Sequence, residues 1–202
     1  TGKYISLADK NISYTNYLIG FKHGTKYNWQ SASTVNLNNL ADRTGWTTPI
    51  QVIETDQMCV CDKTGCSNRQ VVTNASGSLA EEPSAGWYIR LGGEAMYSQA
   101  LIYGGTLSVL STVLPQDICS MEGSSKLYSL YYKTGTPYPR PTVLSPEAVA
   151  NNQVQQSINL GIGVSPLGMP FQVVAGTGKE YESFIQVSTG AILRLQMQVT
   201  TQ

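Results

Sequence analysis

Charge is what this sequence has least of. Of its 202 residues, 13 are Lys or Arg and 13 are Asp or Glu, so formal net charge is zero and the charged share is 13%. That is about half the roughly 25% of an ordinary globular domain. Sparse, balanced charge excludes a nucleic-acid binder, which needs clustered cations against phosphate. Histidine is almost missing too: His23 stands alone beside Gly24 and reads as a loop residue. One imidazole gives little material for a Ser or Cys triad, and no G-x-S-x-G elbow occurs. No run of about 18 apolar residues exists to span a membrane. The nearest candidate, 100–114, is broken by Gly104-Gly105 and dotted with Ser and Thr.

Cofactor motifs are likewise absent. Gly176-Thr177-Gly178-Lys179 resembles the end of a phosphate loop, but Val173 stands where its first Gly belongs and Glu180 where Ser or Thr would hold magnesium. A hairpin turn is the better reading. Gly161-Ile162-Gly163 runs into Pro166 before a dinucleotide fingerprint can form. There is no C-x-x-C-H haem attachment signature. The acidic residues Asp9, Asp56, Asp62 and Asp117 are scattered, with no calcium loop among them, and Glu81-Glu82 before Pro83 reads as solvated loop. No catalytic residue, cofactor ligand or metal ligand is therefore expected. Trp29, Trp46 and Trp87 could form a saccharide platform, although core packing is the more usual role of tryptophan.

What the chain does have is Ser, Thr, Asn, Gln, Gly and 12 tyrosines, the polarity typical of exported β-proteins. Its four cysteines, Cys59, Cys61, Cys66 and Cys119, read as two disulfides formed in an oxidising compartment. Three pairings are open. A turn through Asp62-Lys63-Thr64-Gly65 would bring Cys61 to Cys66 and leave Cys59 for Cys119. Zinc, with His23 as a further ligand, is the competing reading; the C-x-C and C-x4-C spacings fit it poorly. The chain opens at Thr1 with neither Met nor a signal peptide, and the expectation is a processed product or a segment of something longer.

Short runs rich in Tyr, Val, Ile and Leu, punctuated by Gly, Asn and Pro, predict strands over 3–7, 17–21, 69–73, 87–91, 99–103, 106–112, 126–132, 171–175, 181–187 and 191–199. Hairpins are expected at Gly104-Gly105 and at Ser188-Thr189-Gly190. Helical periodicity is weak: 35–42 and 146–152 could each make a turn or two, the second with Ser145 as N-cap and Pro146 at the first helical position. The Pro-rich stretch 136–141 reads as an extended connector. A strand ending in Lys133-Thr134-Gly135 is echoed about 55 residues later by one ending in Ser188-Thr189-Gly190. Such an echo is how propeller blades show themselves, with a plain β-sandwich as the alternative.

Several of these segments also resemble the C-terminal domain of the PilC/PilY family of type IV pilus tip adhesins. The opening Thr1-Gly2-Lys3-Tyr4-Ile5 is similar to that family's first strand. Gly86-Trp87-Tyr88 with Gly93-Glu94 resembles its Gly-Trp-Tyr strand and Gly-Glu pair. The stretch Ser111 to Ser120, with Pro115, Asp117 and Cys119, followed by Gly123, Leu127-Tyr128 and Thr134-Gly135, resembles its most specific segment. Leu160 to Pro166 and Ser188 to Ile192 resemble its last strands.

The resemblance implies an all-β, partial (modified) β-propeller over 1–202; the cysteine-bearing insertion 54–85 is peculiar to this chain. The resemblance also implies a non-enzymatic role at the cell surface, in attachment and pilus biogenesis. At about 40–50 residues per blade the chain holds only part of a propeller, so another chain or a pilin-like subunit is the expected partner. Calcium would belong elsewhere in the parent protein. Three departures stand out: Ala95 replaces the Arg that follows Gly-Glu, Tyr131-Tyr132 occupy the place of an Asp, and the acidic calcium loop has no counterpart. The alternatives are a filament or scaffold subunit and a quinone-dependent dehydrogenase-like propeller; the latter's vicinal Cys pair and calcium ligands are not visible.

Overall fold

The computed structural model describes residues 15–22, 36–49, 80–113, 123–164, 171–175 and 180–199, and these are all-β. The cysteines, His23, Trp29, Pro115, Asp117, the expected strands over 3–7 and 69–73, and nearly all of the 54–85 insertion lie outside the described residues. The strands are β1 (Asn16–Phe21), β2 (Ala41–Asp42), β3 (Thr48–Pro49), β4 (Gly86–Gly92), β5 (Leu101–Tyr103), β6 (Thr106–Val113), β7 (Ser124–Tyr131), β8 (Val149–Ala150), β9 (Gln153–Val154), β10 (Ser157–Ile162), β11 (Phe171–Ala175), β12 (Glu180–Gln186) and β13 (Ile192–Gln198). Four small sheets result, ordered β1-β4-β2, β10-β7-β6-β5, β11-β12-β13 and β3-β9-β8. All pairings are antiparallel except β2 with β4.

The four-stranded sheet is the middle layer. Side chains alternate across a strand, and in β6 Leu107 and Val109 face one apolar cluster while Leu110 faces another. In β7 Tyr128 and Leu130 join the first cluster and Leu127 the second. The first cluster is closed by Trp87, Ile89 and Leu91 of β4, the second by Tyr181, Ile185 and Met197 of β12 and β13. Three small sheets are thus stacked face to face. They do not close into a ring or barrel among the described residues. With both faces covered, β6 is buried along nearly its whole length, which is why its sequence lacks hydrophobic–polar alternation. Each buried Leu, Ile or Val in these layers contributes about 1.5–3 kcal/mol.

The expected strands that fall on described residues are present, with ends shifted by one or two residues, and both hairpins form where Gly104-Gly105 and Ser188-Thr189-Gly190 predict turns. The helical expectation reduces to two 3-10 turns, Leu37–Asn39 and Pro146–Ala148. Pro146 does open the second, but Ser145 makes no side-chain cap bond. β10 was not among the strands read from periodicity. Its Ser157–Ile162 sequence does alternate polar and apolar residues, but it is short, carries Gly161, and its register with β7 shifts between Asn159 and Gly161. The two-residue strands are too short to leave any signal.

Tyr181 closes the second cluster and meets Tyr103 edge-on, with ring centroids 4.6 Å apart. Burial, with the Tyr103 phenol beside it, pushes the Tyr181 hydroxyl up to about 12. A raised pKa favours the neutral phenol of the folded state, so this contribution is complete below the ordinary tyrosine value near 10 and is lost as pH rises towards 12. Urea midpoints measured from about pH 9 to 12 should therefore fall across that window. Tyr181→Phe should flatten this alkaline limb.

Candidate functional site

Three of the motif residues in the described part, Trp87, Gly135 and Glu94, lie at the joint between the first two layers. Gly20 and Trp87 are direct cross-strand partners in β1 and β4, so the indole lies over a residue with no side chain. A Cβ at Gly20 would come within 2.4 Å of the ring. From the other layer the turn after β7 supplies Gly135, with φ of 70°, where a Cβ would lie 2.3 Å from the indole. The Trp87 indole N–H donates to Tyr132 O at 3.0 Å. Trp87 is 2% exposed. It is a core residue and not part of a platform. Two glycines and one carbonyl form its slot. The echo at Gly190 is not packed this way, since a Cβ there would meet nothing.

Glu94 supplies the second tie. The turn after β4 passes Gly93 and places the Glu94 carboxylate beneath β6 and β7, where it is buried. Ser111 Oγ donates to it at 2.6 Å, Tyr128 OH at 3.0 Å, and Lys126 Nζ forms an ion pair with the other oxygen. Ala95 then bridges Thr112 through two backbone hydrogen bonds. Burial first, and the adjacent Glu94 carboxylate second, push the Tyr128 hydroxyl far above the ordinary tyrosine value. With three donors from β6 and β7 on one carboxylate, the cluster clasps the turn after β4 to the next sheet.

A pocket of about 220 Å³ is lined by Gly45, Trp46, Thr47, Ile89, Arg90, Tyr128, Gln155, Gln156 and Ser157. Trp46 is 42% exposed. The guanidinium of Arg43 sits over its ring, 4.2 Å from the centroid. Arg43 is itself held by donating to Thr134 O at 3.2 Å and Glu81 O at 3.1 Å, and desolvation lowers its pKa from the usual arginine value. Gln156 locks the Trp46 loop: its Nε2 donates to Arg43 O at 2.8 Å and its Oε1 accepts from Gly45 N at 3.2 Å. Arg90 pairs with Asp42 at 3.3 Å, and Tyr88 OH donates to the same carboxylate at 3.0 Å. Hydrogen bonds from Thr44, helped by Tyr88 and Arg90, hold Asp42 below the usual carboxylate range.

Of the residues singled out from the sequence, the structure packs Gly135 against Trp87 and sets Glu94 against β6 and β7, whereas Tyr88 meets Tyr17 and Asp42 and Gly86 lies against the backbone of β1. The structure places Cys59, Cys61, Cys66, Pro115, Asp117 and Cys119 outside the described residues. Among the described residues no group of three or more His, Cys, Asp or Glu is positioned to hold a metal. No helix there is long and apolar enough to cross a membrane. Arg43, Lys126 and Gln156 are not legible as site residues in the sequence, because a single polar residue in a polar-rich chain carries no local signal of burial. No family model, curated protein or solved structure matches this chain.

Proposed function

We propose that this chain is a non-enzymatic module of a pilus-tip adhesin, acting extracellularly in surface attachment and type IV pilus biogenesis. Its stacked sheets are blades of a modified β-propeller completed by another chain or by a pilin-like subunit. The observation that carries this reading is that Trp87 with Gly135, and separately Glu94, tie the first sheet to the second. These pieces of one motif set are spread over about 50 residues of sequence, and their packing joins one sheet to the next. Face-to-face stacking of three- and four-stranded sheets supports the blade assignment. An incomplete ring leaves strand edges and blade faces that favour association.

Two measurements test the reading. Equilibrium sedimentation of the chain should show self-association or a stable complex with a companion chain. A well-folded 21.9 kDa monomer that takes no partner would sink the split propeller. Deletion of the parent protein should reduce both piliation and surface attachment, and normal values of both would overturn the adhesin assignment.

A further inference from the structure

We infer that the Trp46 pocket is a saccharide site that takes one neutral pyranose ring, such as the terminal residue of a glycan. The inference deepens the adhesin reading by assigning a ligand class to a particular pocket.

Four observations carry it. First, the platform is rigid before any ligand arrives: Arg43 lies over the indole, and both Arg43 and the Trp46 loop are hydrogen-bonded in place. A large exposed ring at low ordering cost is what a weak polar ligand needs.

Second, the size suits one ring. About 220 Å³ lies below the ~300–1,000 Å³ of drug-sized sites.

Third, the unused polar valences are of both kinds. Among the described residues both polar contacts of the Arg90 side chain use Nη2, leaving Nε and Nη1 as donors. Both contacts of Gln155 use Nε2, leaving Oε1 as an acceptor. A sugar presents hydroxyls that donate and accept around an apolar C–H face, which matches a tryptophan rimmed by a guanidinium and an amide.

Fourth, the charge balance favours a neutral ligand. No carboxylate lines the pocket, its lining cation Arg90 is already paired with Asp42, and Arg43, stacked on the Trp46 ring, is turned to two backbone carbonyls.

The test is saturation-transfer NMR on the full chain with the methyl glycosides of glucose, galactose, mannose and N-acetylglucosamine. At least one should receive saturation, with a dissociation constant on the order of 1 mM. Trp46→Ala should abolish the transfer and Trp46→Phe should retain it. Arg90→Lys keeps the charge opposite Asp42 but loses the planar donors, and should weaken binding about tenfold. Trp46 is largely outside the core, and an unchanged thermal unfolding midpoint checks that the variants fold. The assignment is overturned if none of the four glycosides receives saturation at about 10 mM, or if Trp46→Ala binds as the wild type does. Surface attachment measured in parallel separates the two readings: a chain that supports attachment but binds no glycoside overturns only the saccharide assignment.

Discussion

Trp87→Ala is expected to destabilise the fold by about 3–5 kcal/mol, the range for removing a buried large aromatic. Trp87 fills the slot between Gly20 and Gly135, so its loss leaves a cavity that two backbone-only walls cannot collapse to fill. It also strips Tyr132 O of its indole donor. Gly135→Ala attacks the same joint from the other side. A side chain at φ of 70° costs about 1–2 kcal/mol, and overpacking against the indole adds roughly 1–3 kcal/mol more. The two effects should not add. Once the ring is gone, the new methyl group has room, and Gly135→Ala in the Trp87→Ala background should cost only its backbone strain. Urea denaturation of the four-protein cycle measures this coupling. Additivity within about 0.5 kcal/mol would mean that the indole and the glycine do not share a slot.

Glu94→Ala should destabilise by about 3 kcal/mol, the low end of what breaking a buried ion pair costs. The carboxylate is the common acceptor for Ser111, Tyr128 and Lys126, so its removal strands two buried hydroxyls. Lys126 is 38% exposed along its side chain and can rehydrate, which keeps the effect from growing larger. Glu94→Gln preserves the shape and should cost less. Both variants should bring the Tyr128 hydroxyl down towards the ordinary tyrosine value, because the neighbouring negative charge is gone, although its burial remains. A spectrophotometric titration of the tyrosines above pH 10 reads this directly. An unchanged profile would place Glu94 away from Tyr128.

Much of the architecture was legible because strands announce themselves locally. Runs rich in Tyr, Val, Ile and Leu between Gly-rich turns mark β1, β4, β6, β7, β12 and β13 without reference to any partner strand. The Glu94 clasp was half legible: Gly93-Glu94 stood out as a motif, but its donors Ser111 and Lys126 lie 17 and 32 residues away, neither marked in its own segment as a partner of Glu94. Trp46 and Trp87 looked alike in the sequence. Their fates diverge because Trp87 sits on a strand opposite Gly20, while Trp46 sits on a loop pinned by Gln156, more than a hundred residues further on.

The sequence by itself determined that this protein is built of short strands, with few charges, a lone histidine and no spanning apolar run. These are properties of composition and of neighbours along the chain. Only the tertiary structure decided which sheets stack, which tryptophan is core and which is surface, and where a buried carboxylate finds its partners. Stacking, burial and hydrogen bonding join residues distant in sequence, and nothing in a local pattern records the partner that a side chain will meet.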